Sequence, residues 1–271
     1  MLFRIPYENG ASIAPGTRRF AMTAGNRQRV ALVTGGAVRV GRAISLGLAK
    51  AGHDIVIAYR SSSAEAETLD EEITSLGRTL VHVQADLREA RAADRLIDTV
   101  RTSFGRLDVL VNSAASFRSV SLLDVDADEW DQVMNLNLRA PHLMVRAAAD
   151  MLRESKGCVV NITDLSAWQA WSAYPHHAVS KAGLAHLTRV QARALAPEVR
   201  VNGIAPGAVL PPDDWPEERW APLAERAALQ RTGSPEDVVQ ALLYLIGADF
   251  VTGHILPVDG GRLLGPSGPP I

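Results

Sequence analysis

One cysteine, Cys158, stands by itself in a chain of 271 residues. It excludes an intrachain disulfide and makes a reduced, cytoplasmic compartment the expectation. Cys158 sits in the apolar run GCVVNI with no charge adjacent, which reads as buried filler rather than a nucleophile. There is no run of about eighteen apolar residues, so no membrane span is expected. Neither sign of charge dominates. The 28 basic and 30 acidic residues leave −2, which gives no general attraction for nucleic acid or anionic membranes. Internal repeats, an interdomain linker and a metal-ligating cluster are missing too. Residues 1–28 are polar, rich in Gly and Arg, and lack the apolar stretch of a signal peptide. They read as a flexible extension; a start at Met22 and a transit peptide are the alternatives.

From residue 29 onward, apolar β-branched runs alternate with helical spacing. RVALVTGG, HDIVIAYR, TLVHVQADL, LDVLVNSA, GCVVNITD, VRVNGIAPG and HILPVDGG are strand-like. Continuous apolar strands separated by helices indicate a parallel sheet covered on both faces. DADEWDQVMNLNLRAPHLMVRAAADMLRE has one long helical pattern. In SPEDVVQALLYLIG the expected caps are Ser234 at N-cap, Pro235 at N1 and Asp237 at N3. The stretch PPDDWPEERWAPLAERAALQ looks like an inserted lid, about residues 208–230. The fold class is therefore α/β: a single doubly wound Rossmann-type domain over 29–271, with about seven parallel strands.

The dinucleotide spacing G-x-G-x-x-G is absent. In its place the first strand runs into TGGAVRVGR, where Gly35 permits a tight turn and Gly41 lets the helix approach the sheet. Such a turn can rest a pyrophosphate on free N–H groups at the helix start, Val40 included. Arg39 adds a fixed positive charge there, unless it is an ordinary solvated arginine. The second strand ends in Arg60, Ser61 and Ser62, where an NAD site usually has Asp or Glu. That composition suits a ribose 2′-phosphate, so NADP(H) is the expected cofactor. Asp86 and Leu87 close strand three beside an adenine position. Asn112 closes strand four, where its amide could brace the sheet edge.

Together with Asn137 in MNLNL, Lys181, Arg200-Val-Asn, Pro206-Gly207 and Val258-Asp259-Gly260-Gly261, these residues resemble the short-chain dehydrogenase/reductase family over about residues 29–264. Asn137, Asp164, His177 and Lys181 lie where that family keeps Asn, Ser, Tyr and Lys. Within the family the chain is most similar to the pteridine reductase branch, through Arg39, Arg60-Ser61, Ser116-Phe117, Asp164 and Tyr174. The resemblance implies hydride transfer from NADPH, with Asn137, Asp164, His177, Lys181 and the back-up donor Tyr174 as catalytic groups. It implies Phe117 stacking on a flat pterin-like substrate, which Arg39, Ser116, Asp164 and Tyr174 also contact. The implied assembly is a homotetramer or dimer.

His177 is the departure. An imidazole can replace a phenol as proton donor, and residues three apart place Tyr174 on the same helical face. Asp164 accepts from a ring N–H, donates a proton, or pairs structurally with His177 or Lys181. His176 is expected to face solvent. Three functions are open: a pterin-like heterocycle reductase, a carbonyl or 3-oxoacyl reductase, and a non-catalytic NADP-binding protein.

Overall fold

A computed structural model describes residues 28–213 and 215–265. The expected extension, with Met22, lies outside those residues except for Gln28. Seven parallel strands form one sheet in the order β3-β2-β1-β4-β5-β6-β7. They are β1 Arg29–Thr34, β2 His53–Tyr59, β3 Leu80–Gln84, β4 Val109–Asn112, β5 Cys158–Ile162, β6 Arg200–Pro206 and β7 Ile255–Val258. Between them run α1 Arg39–Lys50, α2 Ser63–Ser75, α3 Ala92–Phe104, α4 Ala127–Met134, α5 Ala140–Ser155, α6 Pro175–Leu195, the single-turn α7 Glu217–Trp220 and α8 Pro235–Gly247.

The period of two along each strand divides its apolar residues between two cores. In β1, Val30 and Leu32 face a cluster built with Leu96 of α3 and Met144 of α5. Ala31 and Val33 face the opposite cluster with Ile44 of α1, Leu69 of α2 and Leu242 of α8. Both faces are sealed, which is why these strands read as unbroken apolar runs. The chain winds outward from β1 to β3 and then back through β4. The carboxyl ends of β1 and β4 therefore flank a crevice, the usual ligand position in such sheets.

Two local features position the site. The long helical pattern around residue 137 is not one α-helix: α4 passes through a π-turn, Asn135–Arg139, into α5. That insertion leaves Asn137 on the buried side, and such bulges recur at functional positions. Helix α6 starts at Pro175, so His177 and Lys181 lie one turn apart near its N-terminus. Helix α8 carries the expected capping box between Ser234 and Asp237. Among the described residues no helix is long and apolar enough to cross a membrane.

Candidate active site

Gly35 takes φ +65° and its N–H donates to Ala58 O at 2.8 Å, which folds the turn after β1. A Cβ at Gly35 would stand 2.9 Å from Ala114 Cα, and one at Gly41 would collide with the Gly35 carbonyl. The glycines therefore let α1 and β4 close on the turn. Gly35, Arg39, Val40 and Gly41 line a cleft of about 420 Å³ at the carboxyl edge of the sheet. Arg60, Ser61, Asp86 and Leu87 line the same cleft, and Ser116 stands at its other end.

Within the cleft the charged groups differ in their engagements. Among the described residues Arg60 has no side-chain partner, and it stands exposed at the end of β2. Arg39, itself at φ +54°, donates to Asp213 Oδ1 at 2.5 Å and to Pro211 O at 2.7 Å, both in the segment after β6. Arg88 grips the Asp86 carboxylate and holds its pKa down to about 2. Asn112 donates to Asn161 Oδ1 at 2.8 Å, bridging β4 and β5. Pro206 and Gly207 lie at the end of β6, where Gly207 N–H donates to Val258 O at 2.9 Å. They pack against β7 and Asp259.

Asn137 and His177 converge on Ser116 in the loop after β4. Asn137, fully buried, receives Ser116 N–H on Oδ1 at 2.8 Å and donates from Nδ2 to Ser116 O and Ser180 Oγ, each at 3.1 Å. His177 Nδ1 lies 3.0 Å from Ser116 O, an acceptor only, so that nitrogen carries a proton. The other nitrogen, Nε2, is buried without a hydrogen bond and faces Asp164 Oδ2 at 3.8 Å. Asp164 caps the following turn, accepting Ser166 N–H on Oδ1 at 2.7 Å. Burial pushes its carboxyl up, but His177, Ser166 N–H and Lys181 pull harder, leaving the pKa below the ordinary value. Lys181 donates to Ile162 O at 2.8 Å, and burial lowers its pKa to about 8, against the pull of Asp164. The site thus holds a carboxylate with a lowered pKa, an oriented imidazole and an ammonium whose pKa burial lowers to about 8.

The aromatic side differs from expectation. Phe117 stacks face to face on Tyr174, centroids 4.4 Å apart and planes 8° from parallel, and meets His177 edge-on at 4.8 Å. A flat ring can sandwich there only if one of the two swings away. Tyr174 is the N-cap of α6, with φ −142° and ψ 53°, so it does not share a helical face with His177. His176 is not exposed. It is fully buried: its Nδ1 accepts His177 N–H at 2.9 Å, and its Nε2 lies 3.4 Å from Glu129 Oε1, which Arg118 also pairs. Pro175 turns the first residues of the helix inward, so its start is covered by α4 rather than solvent. Cys158 is buried as expected, and burial pushes its thiol up to about 11.

Sequence reasoning missed three contributors. Thr34 Oγ1 accepts the N–H groups of Ser113 and Ala114 at 3.0 and 3.1 Å, shaping the loop before Ser116. Ser180, next to Lys181, links Asn137 to the carbonyl of His177. Arg262, next to the VDGG motif, reaches over Trp171.

A family model described as enoyl-(acyl carrier protein) reductase matches residues 36–262. A 3-oxoacyl-(acyl-carrier-protein) reductase of Synechocystis sp. is 35% identical over 87% of this chain and 97% of its own length. The 2-dehydro-3-deoxy-D-gluconate 5-dehydrogenase of Escherichia coli is 34% identical over 87% of this chain and 95% of its own. A solved dehydrogenase/reductase from Sinorhizobium meliloti superposes with TM-score 0.81 at 33% identity, over 86% of this chain and 94% of that one. Likeness along nearly the whole of each relative, with the sheet order and crevice already described, makes the chain a member of the short-chain dehydrogenase/reductase family of oxidoreductases.

Proposed function

We propose that the chain is an NADP(H)-dependent carbonyl reductase, reducing a ketone of a small or acyl-type substrate to the alcohol. The observation that carries this reading is the buried array of His177 between Ser116 O and Asp164, beside Lys181. The cleft residues fit a nicotinamide dinucleotide. Gly35 and Gly41 leave room for close backbone approach, and exposed Arg60 with Ser61 suits a 2′-phosphate better than a bare ribose. Asp86 would face the adenine, and Lys181 keeps two N–H groups beyond its bond to Ile162 O for a ribose. When bound, the coenzyme supplies a hydride to the carbonyl carbon.

The chain supplies the other half of the reduction, one proton to the carbonyl oxygen. His177 Nε2 is the donor in its imidazolium form, because Nδ1–H is committed to Ser116 O. Asp164, 3.8 Å from Nε2, orients the ring. Asn137 fixes Ser116, and through it the imidazole. Lys181, with its lowered pKa, is the group that restores the proton from solvent.

The pterin reading gives way on two counts. Phe117 is occupied by Tyr174 and Arg39 by the 208–230 segment, which we read as a lid. The relatives above are also named for oxo and hydroxy substrates. The groove of Leu138 in the π-turn, His142 on α5 and Gly183, Leu187 and Val190 on α6 suits a dimer or tetramer contact. The lone buried cysteine suits the cytoplasm. A panel of 3-oxoacyl thioesters, simple ketones and dihydropterins, read by NADPH absorbance, tests the substrate class. Turnover of ketones and not of pterins is expected; turnover of pterins alone overturns the assignment.

A further inference from the structure

Of the six partly buried arginines among the described residues, five donate to a carboxylate or a carbonyl: Arg42, Arg78, Arg88, Arg106 and Arg200. The sixth, Arg262, has no such acceptor among those residues. A guanidinium partly removed from water without an acceptor loses hydration that a bound anion would replace.

The surroundings of Arg262 explain why no carboxylate of the chain serves it. Asp259, three residues earlier, spends its oxygens on Gly261 N–H at 2.9 Å and Leu263 N–H at 2.8 Å. Asp164 is committed to Ser166 and His177. Arg226 of the lid segment, of the same sign, also acts on it. Burial first, and then Arg226, lower the pKa of Arg262 from its usual value. Two arginines so placed raise the local positive potential together and are relieved by an anion.

The location ties this charge to the reacting groups. Arg262 Cζ lies 5.7 Å from the centroid of the Trp171 ring, a cation–π position. Trp171 in turn meets Phe117 at 6.5 Å and Tyr174 at 6.2 Å, and Phe117 meets His177 at 4.8 Å. Arg262 therefore stands at the outer end of the aromatic wall whose inner end is the proton donor. It also borders a cavity of about 560 Å³ between the lid segment and the end of β7.

We infer that Arg262 is a specificity-determining residue that grips an oxyanion group, carboxylate or phosphate, carried by the substrate away from its reacting carbon. This rests on the carbonyl reductase reading and deepens it: the substrate is an oxo acid or a phosphorylated ketone, not a neutral one. The planar fork of arginine holds either group through two N–H donors, and Trp171 keeps the fork from rotating.

The test uses the full chain and matched pairs of probes: acetoacetate against its methyl ester, and dihydroxyacetone phosphate against dihydroxyacetone. Calorimetric binding in the presence of NADP⁺, and kcat/KM for NADPH oxidation, are read for wild type, Arg262→Gln and Arg262→Lys. At least one anion is expected to outrank its neutral partner on the order of tenfold or more in wild type. Which pair shows it distinguishes carboxylate from phosphate. The ratio should collapse in Arg262→Gln and recover partly in Arg262→Lys, which also controls for misfolding. If ketones turn over with no anion preference, or the preference survives in Arg262→Gln, this inference is wrong and the reductase reading stands. If anions bind through Arg262 yet no ketone is reduced, anion recognition stands and the reductase reading fails.

Discussion

His177 Nε2 points at Asp164 Oδ2 across 3.8 Å, with the imidazole only 3% exposed. The same carboxylate caps the turn that follows β5, so its structural role and its proposed chemical role fall on one side chain. These roles separate by substitution. Asp164→Asn keeps an oxygen for Ser166 N–H and should leave thermal stability nearly unchanged, while kcat falls on the order of ten- to a hundredfold as the carboxylate charge 3.8 Å from Nε2 is lost. Asp164→Ala loses the cap as well and should be less stable by ~0.5–2 kcal/mol. Denaturant melts beside steady-state rates check both; equal rates in wild type and Asp164→Asn would remove the carboxylate from the chemistry.

Lys181 makes a stability prediction with an unusual sign. Burial lowers its folded pKa from 10.5 to about 8, so between these values the unfolded chain binds more protons than the folded one. The contribution of this group therefore rises with pH across that window and is least below it, where charged Lys181 must be buried. Wild type should gain stability relative to Lys181→Met as pH climbs from about 8 towards 10.5, by up to a few kcal/mol. Parallel pH profiles for the two proteins would contradict the lowered pKa.

Arg60 should set coenzyme choice. Its exposed guanidinium at the end of β2 has no side-chain partner among the described residues, and Ser61 adjoins it. Arg60→Ala should weaken NADPH on the order of tenfold to a hundredfold and leave NADH nearly unaffected. Titration of each reduced coenzyme by fluorescence gives the ratio. A wild type that binds both equally would remove the 2′-phosphate from the account of this cleft.

What the sequence made legible was local. Seven apolar runs became seven strands, and Ser234 with Asp237 formed a capping box, because period and caps act within a few residues. The candidate site residues could be named one by one from their motifs, but their partners could not. Arg39 meets Asp213 across 174 positions, and Arg118 and His176 meet at Glu129 through the docking of α4 on α6. Pairing at such separations depends on how elements pack, not on any one stretch. For the same reason His176 was read as exposed: Pro175 marked the helix start but not the helix that covers it. Tyr174 was placed on a face of α6 by spacing alone, whereas as N-cap it has non-helical backbone and turns its ring onto Phe117.

The proton-donating role of His177 is tested most directly by single-turnover oxidation of NADPH with a reducible ketone near neutral pH, in wild type and His177→Ala. Coenzyme affinity should be alike in the two, since His177 does not line the nucleotide cleft. The rate of hydride transfer should fall about a hundredfold or more in the variant, the usual worth of a positioned general acid. Equal single-turnover rates would contradict a proton donor at His177.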